Sequence, residues 1–330
     1  MAAAIANIRN STRAFKVKAA NAWHATAWVF ALALVCGFGA RTAMAEDARQ
    51  SPADAWWTGP LVTYTAHSLP EGRILIEPYL YDVSERDRDT VHSLTYILYG
   101  LTEKLTVGFA PDFAWRSVKS GRDSSGPHLG DLTLRAQYSL SALDAERGIP
   151  DIALAVLQNL PTGEYDRLGR ASDGFGTGSY ATTLALYSQM MWWMPTGRLV
   201  RTRFDILETF PARVPVEDMS VYGTDPSFVG HAMLGNQLTV ETGWEYSLAR
   251  EWVLACDFVY IHGDPTTTKG AQGAAPIRLD SRNSDIVGYA PAIEYHWSPN
   301  IGVIAGVRVF APVHNARASM APAIALNYVL

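Results

Sequence analysis

Residues 131–140 read Asp131-Leu132-Thr133-Leu134-Arg135-Ala136-Gln137-Tyr138-Ser139-Leu140. In an extended chain successive side chains point to opposite faces. One face of this stretch is therefore apolar (Leu132, Leu134, Ala136, Tyr138, Leu140), and the other carries Asp131, Thr133, Arg135, Gln137 and Ser139. The same period returns in Leu238, Val240, Thr242, Trp244, Tyr246 and Leu248, set against Gln237, Thr239, Glu241, Gly243 and Glu245. Near the end of the chain Ile324, Leu326, Tyr328 and Leu330 alternate with Ala323, Ala325, Asn327 and Val329. Beyond the N-terminal region no run approaches the roughly 18 apolar residues that a spanning helix needs.

Extending this period along the chain predicts strands over 73–83, 91–100, 105–116, 129–140, 150–160, 178–192, 199–210, 234–248, 251–262, 284–297, 301–311 and 318–330. Their connections fall into two alternating classes. Those at 101–104, 141–149, 193–198, 249–250 and 298–300 are mostly short; those at 117–128, 161–177, 211–233 and 263–283 are mostly long and rich in Gly, Pro, Asp and Ser. An even number of strands with short turns on one side and long loops on the other is the plan of an antiparallel up-and-down transmembrane β-barrel, all-β, of about 12 strands, with the short turns periplasmic. Trp192, Tyr246, Trp252, Trp297 and Tyr328 sit beside short turns, and Trp115, Phe210 and Tyr260 at long-loop ends, as two interfacial girdles would.

The N-terminal residues set the compartment. Arg9, Arg13, Lys16 and Lys18 precede an apolar run from Ala25 to Ala40, and Ala43-Met44-Ala45 supplies a small-x-small cleavage pattern, so residues 1–45 read as a secretory signal with the mature chain starting at Glu46. The signal holds five basic residues (these four and Arg41) and no acid. Removing them from 27 Lys and Arg, against 32 Asp and Glu, takes the formal charge from −5 to −10. That balance excludes nucleic acid as an expected partner. Of the two cysteines, Cys36 lies in the signal, so Cys256 is left without a disulfide partner. The expected location is the outer membrane of a Gram-negative bacterium. Residues 46–72, punctuated by Trp56-Trp57-Thr58-Gly59-Pro60 and Leu69-Pro70-Glu71-Gly72, are too short and irregular for a domain. They read as a periplasmic strap, as a plug entering the lumen, or as an edge strand from Leu61 to Thr65; residues 73–330 form the barrel.

Alternation alone does not separate a soluble barrel from a membrane one. The export signal, the girdles and a strand running to Leu330 assign the polar face to the inside. Glu77, Asp112, Arg116, Asp131, Arg135, Arg201, Arg203, Asp205, Glu241, Glu245, Asp257, Glu294, His296 and Arg308 are then the expected pore-lining residues, with acids and arginines pairing across a narrow bore. In this register Glu208 faces lipid near the long-loop end, Phe310 faces inward, and His92 alone among the strand histidines faces outward. No Gly-x-Ser-x-Gly elbow, Ser-x-x-Lys or His-Glu-x-x-His occurs, and no metal-ligand spacing of histidines. Gly174-Phe175-Gly176-Thr177-Gly178 lacks the lysine and helix of a phosphate cradle and reads as a flexible loop; Glu294 and His296, two apart on one face, read as a lumen ion pair. No cofactor and no catalytic residue is expected.

Trp57-Thr58-Gly59-Pro60 and Leu69-Pro70-Glu71-Gly72 ahead of Ile76-Glu77-Pro78-Tyr79, the turn Tyr99-Gly100-Leu101-Thr102-Glu103-Lys104, Gly130-Asp131-Leu132, and Leu160-Pro161-Thr162-Gly163-Glu164-Tyr165 leading to Gly176-Thr177-Gly178 together resemble the outer-membrane family named after the phenol meta-degradation pathway. The resemblance implies a barrel that transports aromatic or other hydrophobic compounds, with outer-membrane lipid, a small-molecule solute and the barrel-assembly machinery as partners. The chain departs from such barrels in ending on Leu330, with Tyr328 in the preceding outward position. Passive transport through a charge-lined lumen is the first expectation. A structural or adhesive barrel acting through its long loops is the alternative, followed by a lipid-modifying enzyme and a soluble periplasmic β-protein.

Overall fold

The computed structural model describes residues 49–330. The export signal and its cleavage point at Ala45 lie outside the described residues. Residues 50–194 and 198–330 form one compact unit.

Twelve spanning strands close into an antiparallel barrel. In chain order they are β1 (Ile74–Ser84), β2 (Arg88–Thr102), β3 (Leu105–Ala110) continued by β4 (Asp112–Val118), β6 (Leu132–Ser141), β7 (Asp151–Leu160), β8 (Ala181–Trp193), β9 (Leu199–Pro211), β12 (Gln237–Ser247), β13 (Trp252–Gly263), β16 (Ser284–Ser298), β17 (Ile301–His314) and β18 (Ser319–Val329). β5 (His128–Leu129) is a short addition paired to β4. β1 pairs with β2 on one side and with β18 on the other, from Leu75↔Val329 to Ser84↔Met320, so the sheet has no free edge at that seam. Pro111 divides β3 from β4; proline has no N–H to give a ladder, and the strand resumes at Asp112. At the long-loop end of the seam Arg317 reaches Asp87 at 3.0 Å. Hydrogen bonds from the neighbouring Arg88, with Arg317, hold the Asp87 carboxyl down at about 2.

The burial pattern is the inverse of a soluble protein's. Leu134 (41%), Tyr138 (49%), Trp244 (49%) and Leu326 (41%) are exposed on the outer wall, while Arg135, Gln137, Glu241 and Glu245 between them are buried. Trp115, Trp192, Phe210, Trp252, Tyr260, Trp297 and Tyr328 all face outward near the strand ends, in the places assigned to girdles. Glu208 lies opposite Leu184 and Leu238 on the outward parity of β9, near its long-loop end.

Two loops hold structure that the sequence reading missed. The 211–233 and 263–283 connections contain β10 (Val214–Glu217), β11 (Phe228–Met233), β14 (Thr267–Gln272) and β15 (Ala275–Asp280), which form a separate four-stranded sheet in the order β10-β11-β14-β15. Val214, Val216, Phe228 and Ala232 give it a small buried core. Each strand is only four to six residues long and set among Pro, Gly and Asp, so the period-2 signal there is too brief to stand out.

Candidate functional site

The lumen is occupied. Residues 50–72 enter beside the short turns, cross the bore and return to start β1. Trp193 Nε1 donates to the Gln50 carbonyl (2.9 Å) and Gln50 Nε2 to Ser247 Oγ (2.8 Å), while Arg250 pairs with Asp54. Deeper in, Glu294 accepts from Thr58 N (2.8 Å) and Oγ1 (2.7 Å). Asp257 accepts from Val62 N (3.0 Å), Thr63 N (3.1 Å) and Thr63 Oγ1 (2.9 Å), and Asp205 from Tyr64 N (2.7 Å). On the way out Gln137 Nε2 donates to the Ala66 and His67 carbonyls (3.1 and 3.3 Å), and Leu69 N donates to Thr106 Oγ1 (2.8 Å).

This pattern follows from the segment's irregular backbone. Outside helix and sheet, buried N–H groups need other acceptors, and ionised carboxylates are the strongest available. The wall also makes room. A Cβ on Gly243 would lie 2.3 Å from Thr63 Oγ1, and one on Gly100 2.0 Å from the Pro70 carbonyl oxygen. Glycine inside an alternating strand is the sequence mark of such an approach.

The arginines are held along the wall, not across it. Arg201 grips Glu245, its register partner on the next strand, through Nε (2.6 Å) and Nη2 (2.5 Å), and lies 4.8 Å from the Trp57 ring. Arg203 Nε approaches the same carboxylate at 3.3 Å and its Nη1 donates to the Thr63 carbonyl (3.3 Å). Arg135 bonds Gln137 and stacks on Tyr64 and Tyr187 at 4.9 and 5.3 Å. Arg308 stacks on Tyr81 (4.6 Å) and Tyr79 (5.6 Å). Pairing of acids with arginines across the bore is therefore corrected: the segment stands between the walls, and Asp205, Asp257 and Glu294 bind its backbone instead.

The other expected lining residues occupy different levels. Glu77 accepts from Asn327 Nδ2 (3.2 Å), and His296 Nε2 lies 3.2 Å from Glu294. Glu241 is buried with Oε2 unpartnered. Arg116 sits 4.5 Å from the Phe175 ring and donates to the Gly174 carbonyl (3.3 Å), so that loop is docked at the barrel mouth. Asp131 accepts from Asn159, Gly163 N and Thr177, fastening the 161–180 connection rather than facing mid-lumen. His92 is a second correction: its ring stacks on Tyr81 (4.9 Å) and Nδ1 lies 2.9 Å from Asp112, so it faces inward. Apolar residues mark the outside on most strands, but on β2 the inward positions next in phase are Leu94, Tyr96 and Leu98, which face the segment.

Beside the segment, between the wall of β1, β2, β17 and β18 and the facing side chains of Arg135, Arg203 and Glu241 on β6, β9 and β12, lies a cavity of about 240 Å³, lined also by Leu75, Tyr79, Tyr96, Arg308 and Phe310. Phe310 is thus inward, as its parity required. Among the described residues no group of three or more His, Cys, Asp or Glu is placed to hold a metal ion.

An apolar belt around a closed twelve-stranded wall and a charged, segment-filled interior define a barrel of the outer-membrane type. Residues 59–200 match the family described as "Putative MetA-pathway of phenol degradation", and the resemblance carried by the motifs is thereby borne out. The fold is similar to that of an outer membrane channel from Pseudomonas putida F1 (13% identity, 82% of this chain and 100% of that chain, TM-score 0.62). More distant are the NanC porin (8% identity, 77% of this chain and 98% of that one, TM-score 0.42) and the KdgM porin (10%, 76% and 98%, 0.39). No curated protein matches the sequence.

Asp257 offers a direct test of how the segment is held. Asp257→Asn leaves one acceptor oxygen for donors that now share two, and weakens each bond by removing the charge. The barrel should keep its heat-modifiable mobility on gels, with amide exchange at Val62 and Thr63 accelerated roughly 5- to 150-fold, the equivalent of about 1–3 kcal/mol of local stability. Unchanged exchange would show that the carboxylate does not anchor the segment.

Proposed function

We propose that this protein passes small solutes across the outer membrane of a Gram-negative bacterium, through a lumen narrowed by residues 50–72. The observation that carries this reading is the charged inner wall, which borders an interior cavity instead of closing into a fully packed core. The family match supports aromatic or hydrophobic compounds as the solutes. Solutes would pass among Arg135, Arg203, Glu241 and Arg308, whose fields overlap at this bore. Outer-membrane lipid around the apolar belt and the barrel-assembly machinery complete the proposed partners.

Single-channel recording tests the reading. Arg203→Glu should shift selectivity toward cations and Glu241→Arg toward anions, each by about twofold or more in permeability ratio, with heat-modifiable folding retained. Currents identical to the unmodified barrel's in both variants would remove these residues from the path. The lumen-filling segment and the external sheet together favour a second reading, a non-conducting barrel that binds partners through its loops. Such a barrel would pass no current with or without the substitutions.

A further inference from the structure

We infer that the interior cavity is a binding subsite for a small carboxylate that has an apolar body and a hydrogen-bond donor beside its acid group. For its biological sense this rests on the transport reading; its chemistry stands on the cavity itself. An engineered apolar cavity of about 150 Å³ accommodates benzene, so about 240 Å³ has room for one ring with a short polar head. Leu94, Tyr96, Leu98 and Phe310 supply an apolar wall for the ring.

The polar side of the cavity is incomplete. Arg135 and Arg308 both line it, and neither forms an ion pair with a carboxylate among the described residues. Both guanidinium groups instead lie against aromatic rings, and one face of a planar guanidinium can stack while its edge remains available for a carboxylate fork. Arg203, the third arginine of the lining, is committed to Glu245 and the Thr63 carbonyl. Glu77 is engaged by Asn327. Glu241 is only 6% exposed and its Oε2 has no hydrogen-bond partner, an arrangement that is costly until a donor arrives. A cation would satisfy Glu241 but meet two arginines that have no carboxylate partner among the described residues. A plain carboxylate would satisfy an arginine and leave Glu241 unfilled. A carboxylate bearing a hydroxyl completes both.

The test is calorimetric titration of the full-length folded barrel with mandelate, phenylacetate and benzyl alcohol, which share a ring and differ in the polar head. Mandelate should bind tightest, phenylacetate more weakly and benzyl alcohol weakest. Arg308→Gln should weaken mandelate by about tenfold or more, Arg308→Lys should restore part of that loss, and benzyl alcohol should be indifferent to both. Glu241→Leu should weaken mandelate but not phenylacetate. Heat-modifiable mobility of each variant establishes that it is folded. Benzyl alcohol binding as tightly as mandelate, or mandelate affinity unchanged in folded Arg308→Gln, overturns the assignment. A folded barrel that conducts yet binds none of the probes overturns the subsite and leaves transport standing; one that binds mandelate but never conducts supports the subsite and overturns transport.

Discussion

A barrel lacking residues 52–66 should conduct roughly tenfold more current per channel than the full-length protein, because a twelve-stranded wall is wider than the eight-stranded kind whose own side chains fill it. In the intact chain the space is taken by Thr58 to Ala66, pinned to Glu294, Asp257, Asp205 and Gln137. With those residues removed, the three carboxylates and Gln137 lose their partners within the segment, while Glu294 keeps His296 and Gln137 keeps Arg135, and the freed atoms face water, which hydrates them at little cost in an open bore. The wall ladder itself, including the seam from Leu75↔Val329 to Ser84↔Met320, is untouched by the deletion. Planar-bilayer recording on refolded protein measures the effect directly. Equal conductance of the two forms would sink the idea that this segment sets the bore.

The largest effect on stability should come from charge on the outer wall. Leu134 and Leu326 are each 41% exposed on the apolar belt, and Leu134→Arg or Leu326→Arg should cost up to about 2–4 kcal/mol, the figure for a charge at the bilayer midplane, with Leu326→Arg toward the low end because it lies two residues from the girdle Tyr328. Thr133, one residue away, faces inward and shares a hydrogen bond with Asn159 (3.2 Å). Thr133→Arg should cost well under half as much, since its long side chain can reach the charged interior. Urea titration of folding into lipid vesicles compares the three, and equal losses would mean that inside and outside have been exchanged.

Much of this barrel is legible in the sequence because the membrane enforces period 2 on its wall. Arg135 and Leu134 or Glu245 and Trp244 differ so strongly in polarity that strand, register and face are read together. The rule weakened where the interior is itself apolar. On β2 the inward set runs His92, Leu94, Tyr96, Leu98, and taking apolar as outward inverts it. The path of residues 50–72 was not legible for a different reason. It is fixed mainly by backbone N–H groups, which every residue but proline possesses, meeting carboxylates whose partners could as well have been the arginines. Gly243 was the available clue, a residue without a side chain in the middle of a strand whose every other inward position between 237 and 247 is polar. The external sheet escaped because Val214-Pro215-Val216-Glu217 offers a single alternation before the chain turns.

The seam where the cylinder closes has an inward face of Ala321, Ala323 and Ala325, too small to fill the space beside them. Leu61 packs there with Tyr79, Ala323 and Ala325, and Val62 lies against the same cluster. The missing bulk of the last strand is thus carried by a stretch that precedes the first. Seating Leu61 against this seam buries apolar surface on both partners, so the finished cylinder is moulded around its own leading end, and without that stretch the alanine face is left to water.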